Sequence, residues 1–330
     1  MTPHGPPLSR DATLAARASG SAITLPNHNT IGRRFYNRRG HRSPWRLKLA
    51  AALLLMPAGC VSNIIQPDPT PLDGESRACP DWSDYAIVLD RAVTGGRVDY
   101  RILLHDPLAL RRAVSRLAQC GPKSSPLSFT TDNARLAYWI NTYNVLVLRG
   151  VVAALRRSGP HAPDAPLPER VSLDVERGVR FIVDGETASA ADVRERVLTL
   201  AREDWRVRFA LCDGKAGGPP LVGAPFLPDL FDYQIDNCVR DALRHPQIVS
   251  IDHGAQRLHV WRELSGLRDR LVTDFERRTG AGRATLINVL LEWSEDDQRR
   301  ALNSAIGYSE HALPFDDHVN HAPQAPATSS

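Results

Sequence analysis

The sequence predicts an α+β fold: a helix-rich single domain with a small, mainly antiparallel sheet. Three observations carry this. Leu136, Trp139, Ile140, Tyr143 and Val147 recur at spacings of three and four, the mark of a helix with a continuous apolar stripe. Two pairs of short apolar runs, at 171–175 with 179–183 and at 248–251 with 258–261, read as hairpins. The elements do not alternate regularly as strand, helix, strand, which favours this class over a doubly wound parallel sheet.

Taken in order, residues 79–93 read as a short helix stopped by Gly95 and Gly96, and residues 97–100 as a brief strand. Residues 107–119 are amphipathic with Pro107 at the start, where a missing amide costs nothing. The central helix begins after Thr131. A proline-rich loop at 160–168 leads to the first hairpin, with its turn expected near Arg177 and Gly178. Ser189 with Asp192 three residues on offers a capping-box start for a helix through Leu200, although Glu or Gln is usual at the second position. Residues 207–211 read as a strand, and 229–244 as a helix with Phe231, Ile235, Cys238 and Ala242 on one face. After the second hairpin the chain is expected to be helical to about Ala305.

The two ends differ from this body. Residues 1–59 hold nine basic side chains and one acid, Asp11, and have no periodicity before an apolar run at 47–56 that leads to Pro57, Ala58, Gly59 and Cys60. This is the shape of an export signal behind a disordered extension. The 13 residues from Leu47 to Gly59 would reach about 20 Å as a helix, short of the roughly 30 Å hydrocarbon core of a bilayer. Small residues before Cys60 resemble the bacterial lipoprotein signal, which implies lipidation at Cys60. Val61, where an Asp would retain the protein in the inner membrane, implies the outer membrane. Residues 60–78, with Pro67, Pro69 and Pro71, then form a tether, 79–321 the domain, and 322–330 a disordered tail. Beyond residue 59 there are 32 basic and 36 acidic side chains, so the basic character belongs to the signal and a nucleic-acid face is excluded. Cys79, Cys120, Cys212 and Cys238 permit up to two disulfides in an oxidising compartment, in three connectivities.

The chemistry concentrates at 206–221, where the apolar run breaks into a loop with Gly214, Gly217, Gly218, Pro219 and Pro220. It carries Cys212, Asp213 and Lys215, one of three lysines in the chain. Cys212 becomes a nucleophile if His245, His253 or His259 stands beside it and the loop amides form an anion hole. Packing or a disulfide is the commoner use of a buried cysteine. Asn141 and Asn144 interrupt the apolar central helix, and their amides are expected to hold a neighbouring loop. Near the C-terminus Glu310, His311, Asp316, Asp317, His318 and His321 gather ligand-type groups, but at no fixed helical spacing, and the sequence points to no metal and no cofactor.

Four segments, in order, resemble the bacterial and plant family called domain of unknown function 547: Arg97 to Tyr100; Leu136 to Asn144 with its Trp139, Ile140, Asn141, Tyr143 and Asn144; Arg208 to Leu211 with Gly214 and Pro219 to Leu221; and Phe315 to Asn320. The resemblance spans about Asp81 to Asn320. It implies two thiols around the glycine loop and a Glu-His pair on the preceding helix. Here Asp213 and Gly218 stand at the thiol positions, with Cys212 one residue early, and Arg194 and Glu195 stand where Glu and His are usual. On a strand, a displacement of one residue points a side chain to the opposite face. The frame is retained and its polar groups are exchanged.

The sequence therefore reads as a cell-envelope lipoprotein of the outer membrane, facing the periplasm and acting as a non-catalytic binding or assembly factor. Its ligand-facing groups are expected to be Asn141, Asn144, Arg208, Asp213 and Lys215. Its partners would be the membrane, through the lipid anchor, and an envelope protein or small ligand. The alternative is a papain-like or transglutaminase-like thiol hydrolase or acyl transferase using Cys212.

Overall fold

The computed structural model describes residues 64–66, 79–159, 161, 166–172 and 174–323. The signal region 1–59, Cys60, most of the 60–78 tether and the tail from 324 onward lie outside the described residues. Within the expected tether, β1 (Ile64–Ile65) pairs in parallel with a strand of the domain, Ile64 opposite Arg180.

α1 (Ser83–Ala92) runs straight into a tight hairpin of β2 (Val93–Thr94) and β3 (Arg97–Val98). Gly95 and Gly96 close it at φ 56° and 77°, a region that favours glycine. The brief strand expected over 97–100 stops at Val98. Asp99 accepts the Arg101 amide at 3.0 Å and so caps α2 (Tyr100–His105). α3 (Leu108–Gln119) follows Pro107 as expected and ends at Cys120. Cys120 is disulfide-bonded to Cys79, with Cα atoms 5.8 Å apart, while Cys212 and Cys238 are free and buried.

α4 (Asp132–Arg157) is the axis of the fold. Thr131 caps it by accepting the Ala134 amide at 3.1 Å, and Arg156 and Arg157 meet the negative end of its dipole. Its middle is buried on every side from Leu136 to Leu148, so Asn141 and Asn144 cannot be solvent-facing. β4 (Arg180–Val183) and β5 (Glu186–Ser189) follow in antiparallel register, Val183 opposite Glu186. The turn is Asp184-Gly185 at φ 52° and 76°, the pairing that a two-residue type I′ hairpin demands. Among the described residues of 171–175 the expected strand is not seen. Asp174 accepts the amides of Glu176 and Arg177 at 3.1 and 3.0 Å, which curls this stretch into a turn.

α5 (Ala190–Ala201) starts as predicted: Asp192 N donates to Ser189 Oγ at 3.2 Å and Ser189 N to Asp192 Oδ2 at 2.8 Å, so Asp completes the capping box. The strand expected over 207–211 is a correction. Trp205–Ala210 is a 3-10 helix, capped by Asp204, which accepts the Arg206 amide at 3.0 Å. Trp205 and Phe209 pack edge-on to each other, Trp205 also onto Trp293 and Phe209 onto Trp261. This aromatic contact takes the place of a partner strand.

α6 (Phe231–Leu243) precedes the second hairpin, β6 (Val249–Asp252) with β7 (Arg257–Val260), which forms as predicted. α7 (Arg262–Gly266), α8 (Arg268–Thr279), α9 (Leu286–Trp293) and α10 (Asp296–Ser304) complete the helical stretch. β8 (Ser309–Ala312) then pairs in parallel with β7. The result is α+β and helix-rich, with three small sheets among the described residues whose pairs are mostly antiparallel. Among the described residues no helix is long and apolar enough to cross a membrane.

Candidate functional site

Two asparagines of α4 act as amide splints. Asn144 Nδ2 donates to Ala210 O at 2.9 Å while its Oδ1 accepts Cys212 N at 3.1 Å. Asn141 does the same for Phe226, donating to its carbonyl and accepting its amide, both at 2.9 Å. A carboxamide is the one neutral side chain with both an amide donor and a carbonyl acceptor, so it can stand in for a strand partner. Both residues are buried and spend these groups on main chain, so the structure places neither at a ligand-facing surface. They position the loop, as the sequence led one to expect.

A third asparagine closes the frame from the C-terminus. Asn320 Oδ1 accepts from Tyr100 Oη at 2.8 Å, its Nδ2 donates to Cys212 Sγ at 3.3 Å, and its main-chain amide donates to Gly214 O at 3.0 Å. The segment before it is laced to the loop: Ala216 N donates to His318 O and Gly217 N to Asp316 O, at 2.7 and 2.9 Å. A side chain at Gly217 would lie 2.6 Å from Asp316 N, so close approach requires glycine there. Gly218 N donates to Lys215 O. The amides of Ala216, Gly217 and Gly218 are thus committed to carbonyls.

Cys212 itself is buried, and burial first, then the neighbouring Asp213 charge, pushes its thiol up to about 12. Asn320 is its side-chain hydrogen-bond partner among the described residues. None of the three histidines considered as its base hydrogen-bonds Cys212 among the described residues: His253 meets Tyr308 Oη at 3.1 Å, His259 lies on β7 beside His311, and His245 follows α6. Because Cys212 follows a 3-10 helix, strand alternation does not decide its direction. The Asn320 contact does.

Asp213 is half-buried and turned onto Gly218: its Oδ1 lies 2.3 Å from the place a Cβ on Gly218 would occupy. The two positions at which the family resemblance implies thiols are therefore in contact. Burial first, and then the charges of Glu176 and Glu263, raise the Asp213 carboxyl to about 6, against the pull of the Lys215 amide and ammonium. Around it, Glu263 of α7 takes Arg194 of α5 on one oxygen and Arg208 on the other, the latter at 3.1 Å. Tyr143 Oη donates to Glu176 at 2.7 Å. Sequence reading missed Glu176 and Glu263, which arrive from distant segments; Tyr100 and Asn320 were signalled only by their places in the resemblance.

Glu176, Arg194 and Glu195 continue outward into the lining of an open groove of about 660 Å³ along α5, which Arg177, Arg180 and Asp192 also line. Lys215 stands apart, exposed, with its ammonium 5.5 Å from the Phe315 ring centre. Of the C-terminal ligand-type residues, Asp316, Asp317 and His318 bring ligand atoms within 4.8 Å of one another. They are mostly exposed and already engaged, His318 Nδ1 with Asp316 at 2.6 Å and Asp317 with Arg170 at 2.7 Å. Glu310 is elsewhere, paired with Arg268 and accepting the first amide of α9.

Comparison with curated proteins and with solved structures gives no match. The model of the family described as Protein of unknown function, DUF547, matches residues 127–241. That segment contains α4 with both splint asparagines, the glycine loop and α6 up to Asp241, while the segments resembling the family at 97–100 and 315–320 fall outside it. The segment 127–241, the core of this domain, belongs to the domain of unknown function 547 family.

Proposed function

We propose that this chain is an outer-membrane lipoprotein, anchored at Cys60 and facing the periplasm, whose domain binds a ligand or an envelope partner without turning it over. The observation that carries the non-catalytic reading is the state of Cys212. Its thiol is buried, held by Asn320, raised to about 12 and without a histidine partner among the described residues, while the amides of Ala216, Gly217 and Gly218 are spent on carbonyls. A thiol nucleophile needs the opposite: a thiolate fraction near neutral pH and free donors for developing oxyanion charge. The groove along α5, which Arg194 lines while bridged through Glu263 to Arg208, offers charges of both signs on a fixed helix and suits a polar ligand or an extended peptide segment. The Cys79–Cys120 disulfide supports export, since such bonds persist in oxidising compartments.

Two experiments test this. Complementation of a deletion strain by Cys212→Ala should succeed, whereas Arg194→Glu, which reverses a charge on the groove wall, should fail at unchanged protein level. Loss with Cys212→Ala and retention with Asp213→Ala would instead favour thiol chemistry. Metabolic labelling with a fatty acid should mark the native chain and not Cys60→Ala; an unlabelled native chain removes the anchor.

A further inference from the structure

Lys215 and Arg262 share one aromatic ring. Lys215 Nζ stands 5.5 Å, and Arg262 Cζ 5.8 Å, from the centre of Phe315. Among the described residues neither cation has a carboxylate within ion-pair distance. Asp213 is turned onto Gly218 and takes the Lys215 amide and the longer-range pull of its ammonium, Glu263 is divided between Arg194 and Arg208, and Asp316 holds His318.

This arrangement runs against the rest of the domain, which carries more acids than bases beyond residue 59. Two like charges on long, exposed side chains repel and would ordinarily swing apart into water. The ring quadrupole gives each a reason to stay. Loop geometry keeps the ring and Lys215 together, because Lys215 is bridged to Val319 and Gly217 N is bonded to Asp316 O, next to Phe315. Arg262 opens α7, whose next residue, Glu263, is tied to Arg194 and Arg208. Both cations are therefore held by rooted segments, with no ion pair to either among the described residues.

We propose that Lys215 and Arg262, over Phe315, bind the oxyanion group of a ligand, a carboxylate or a phosphate. Lysine supplies a point charge and arginine a planar fork that meets two oxygens. The three residues do not line the α5 groove, so this site stands independently of the function proposed for that groove.

Equilibrium dialysis of the detergent-purified full chain against radiolabelled inorganic phosphate and, separately, acetate, at fixed ionic strength in chloride, tests the site. Saturable binding of one anion is expected in the native chain. It should weaken at least tenfold in Lys215→Gln and in Arg262→Gln, and be unchanged in Arg257→Gln, an exposed arginine on β7. Preference for phosphate or for acetate assigns the ligand class. Both cations are exposed, so the variants should fold, and an unchanged unfolding temperature verifies it. Absence of saturable binding to the native chain, or equal binding by the variants, overturns the proposal.

Discussion

Asn144 holds the main chain on both sides of Leu211 at once, donating to the Ala210 carbonyl and accepting the Cys212 amide. This single side chain sets the path by which the chain leaves its 3-10 helix and enters the glycine loop. Asn144→Ala orphans a buried amide and a buried carbonyl together. At about 1–3 kcal/mol for each unsatisfied group, a loss near 3 kcal/mol is expected in denaturant unfolding. Asn144→Asp should be no better, because its second oxygen would face the Ala210 carbonyl.

Asp213 and Gly218 are coupled by contact. Gly218→Ala alone must displace the Asp213 carboxylate and should cost about 1–3 kcal/mol. In an Asp213→Gly background the same change should be nearly neutral, a non-additivity that a double-mutant cycle reads directly. The pair Asp213→Cys with Gly218→Cys should form a disulfide on air oxidation, since the Asp213 Cγ, close to where a sulfur would sit, is 2.8 Å from the Cβ position on 218. Mass spectrometry under non-reducing conditions checks it.

The raised Asp213 carboxyl gives the fold a pH dependence of definite sign. Between the ordinary 3.8 and about 6, the folded chain binds the proton better than the unfolded one, so stability from this group falls as pH rises through that window. Asp213→Asn preserves the acceptor for the Lys215 amide and removes the burial cost of the charge. Relative to the native chain it should be more stable at pH 7.5 by up to about 3 kcal/mol and little different at pH 4. The difference between the two chains is the readout, because Asp192, Asp316 and other carboxylates with lowered values act only at lower pH.

Joining residues 41 apart, the Cys79–Cys120 bond should contribute about 2–4 kcal/mol. Cys79→Ala with Cys120→Ala should lower the unfolding midpoint by that amount, and a reductant should lower the native chain to nearly the same value.

Helix starts were the most legible part of the sequence, because capping is local. Thr131 and the Ser189–Asp192 box act as their positions indicate. The same local chemistry was available and unread at Asp204, which caps the 3-10 helix, and at Asp184-Gly185, which turns the first hairpin. At 207–211 the apolar run suggested a strand, and aromatic packing by Trp261 and Trp293, more than fifty residues on, decided otherwise. The loop and its asparagine splints were visible as odd residues in an apolar helix. Glu263 was not, and Asn320 was marked only by its place in the resemblance, since their roles exist only once α7 and the C-terminal segment fold onto the loop.

The central claim is that Cys212 belongs to the frame and does no chemistry. Peptide-resolved mass spectrometry after exposure of the native chain to a small thiol alkylator at pH 8 measures this most directly. A thiol raised to about 12 carries almost no thiolate at that pH, and Cys212 is buried, so no label is expected at Cys212 before unfolding and full label after it. Rapid, selective labelling of Cys212 in the folded chain would contradict the account.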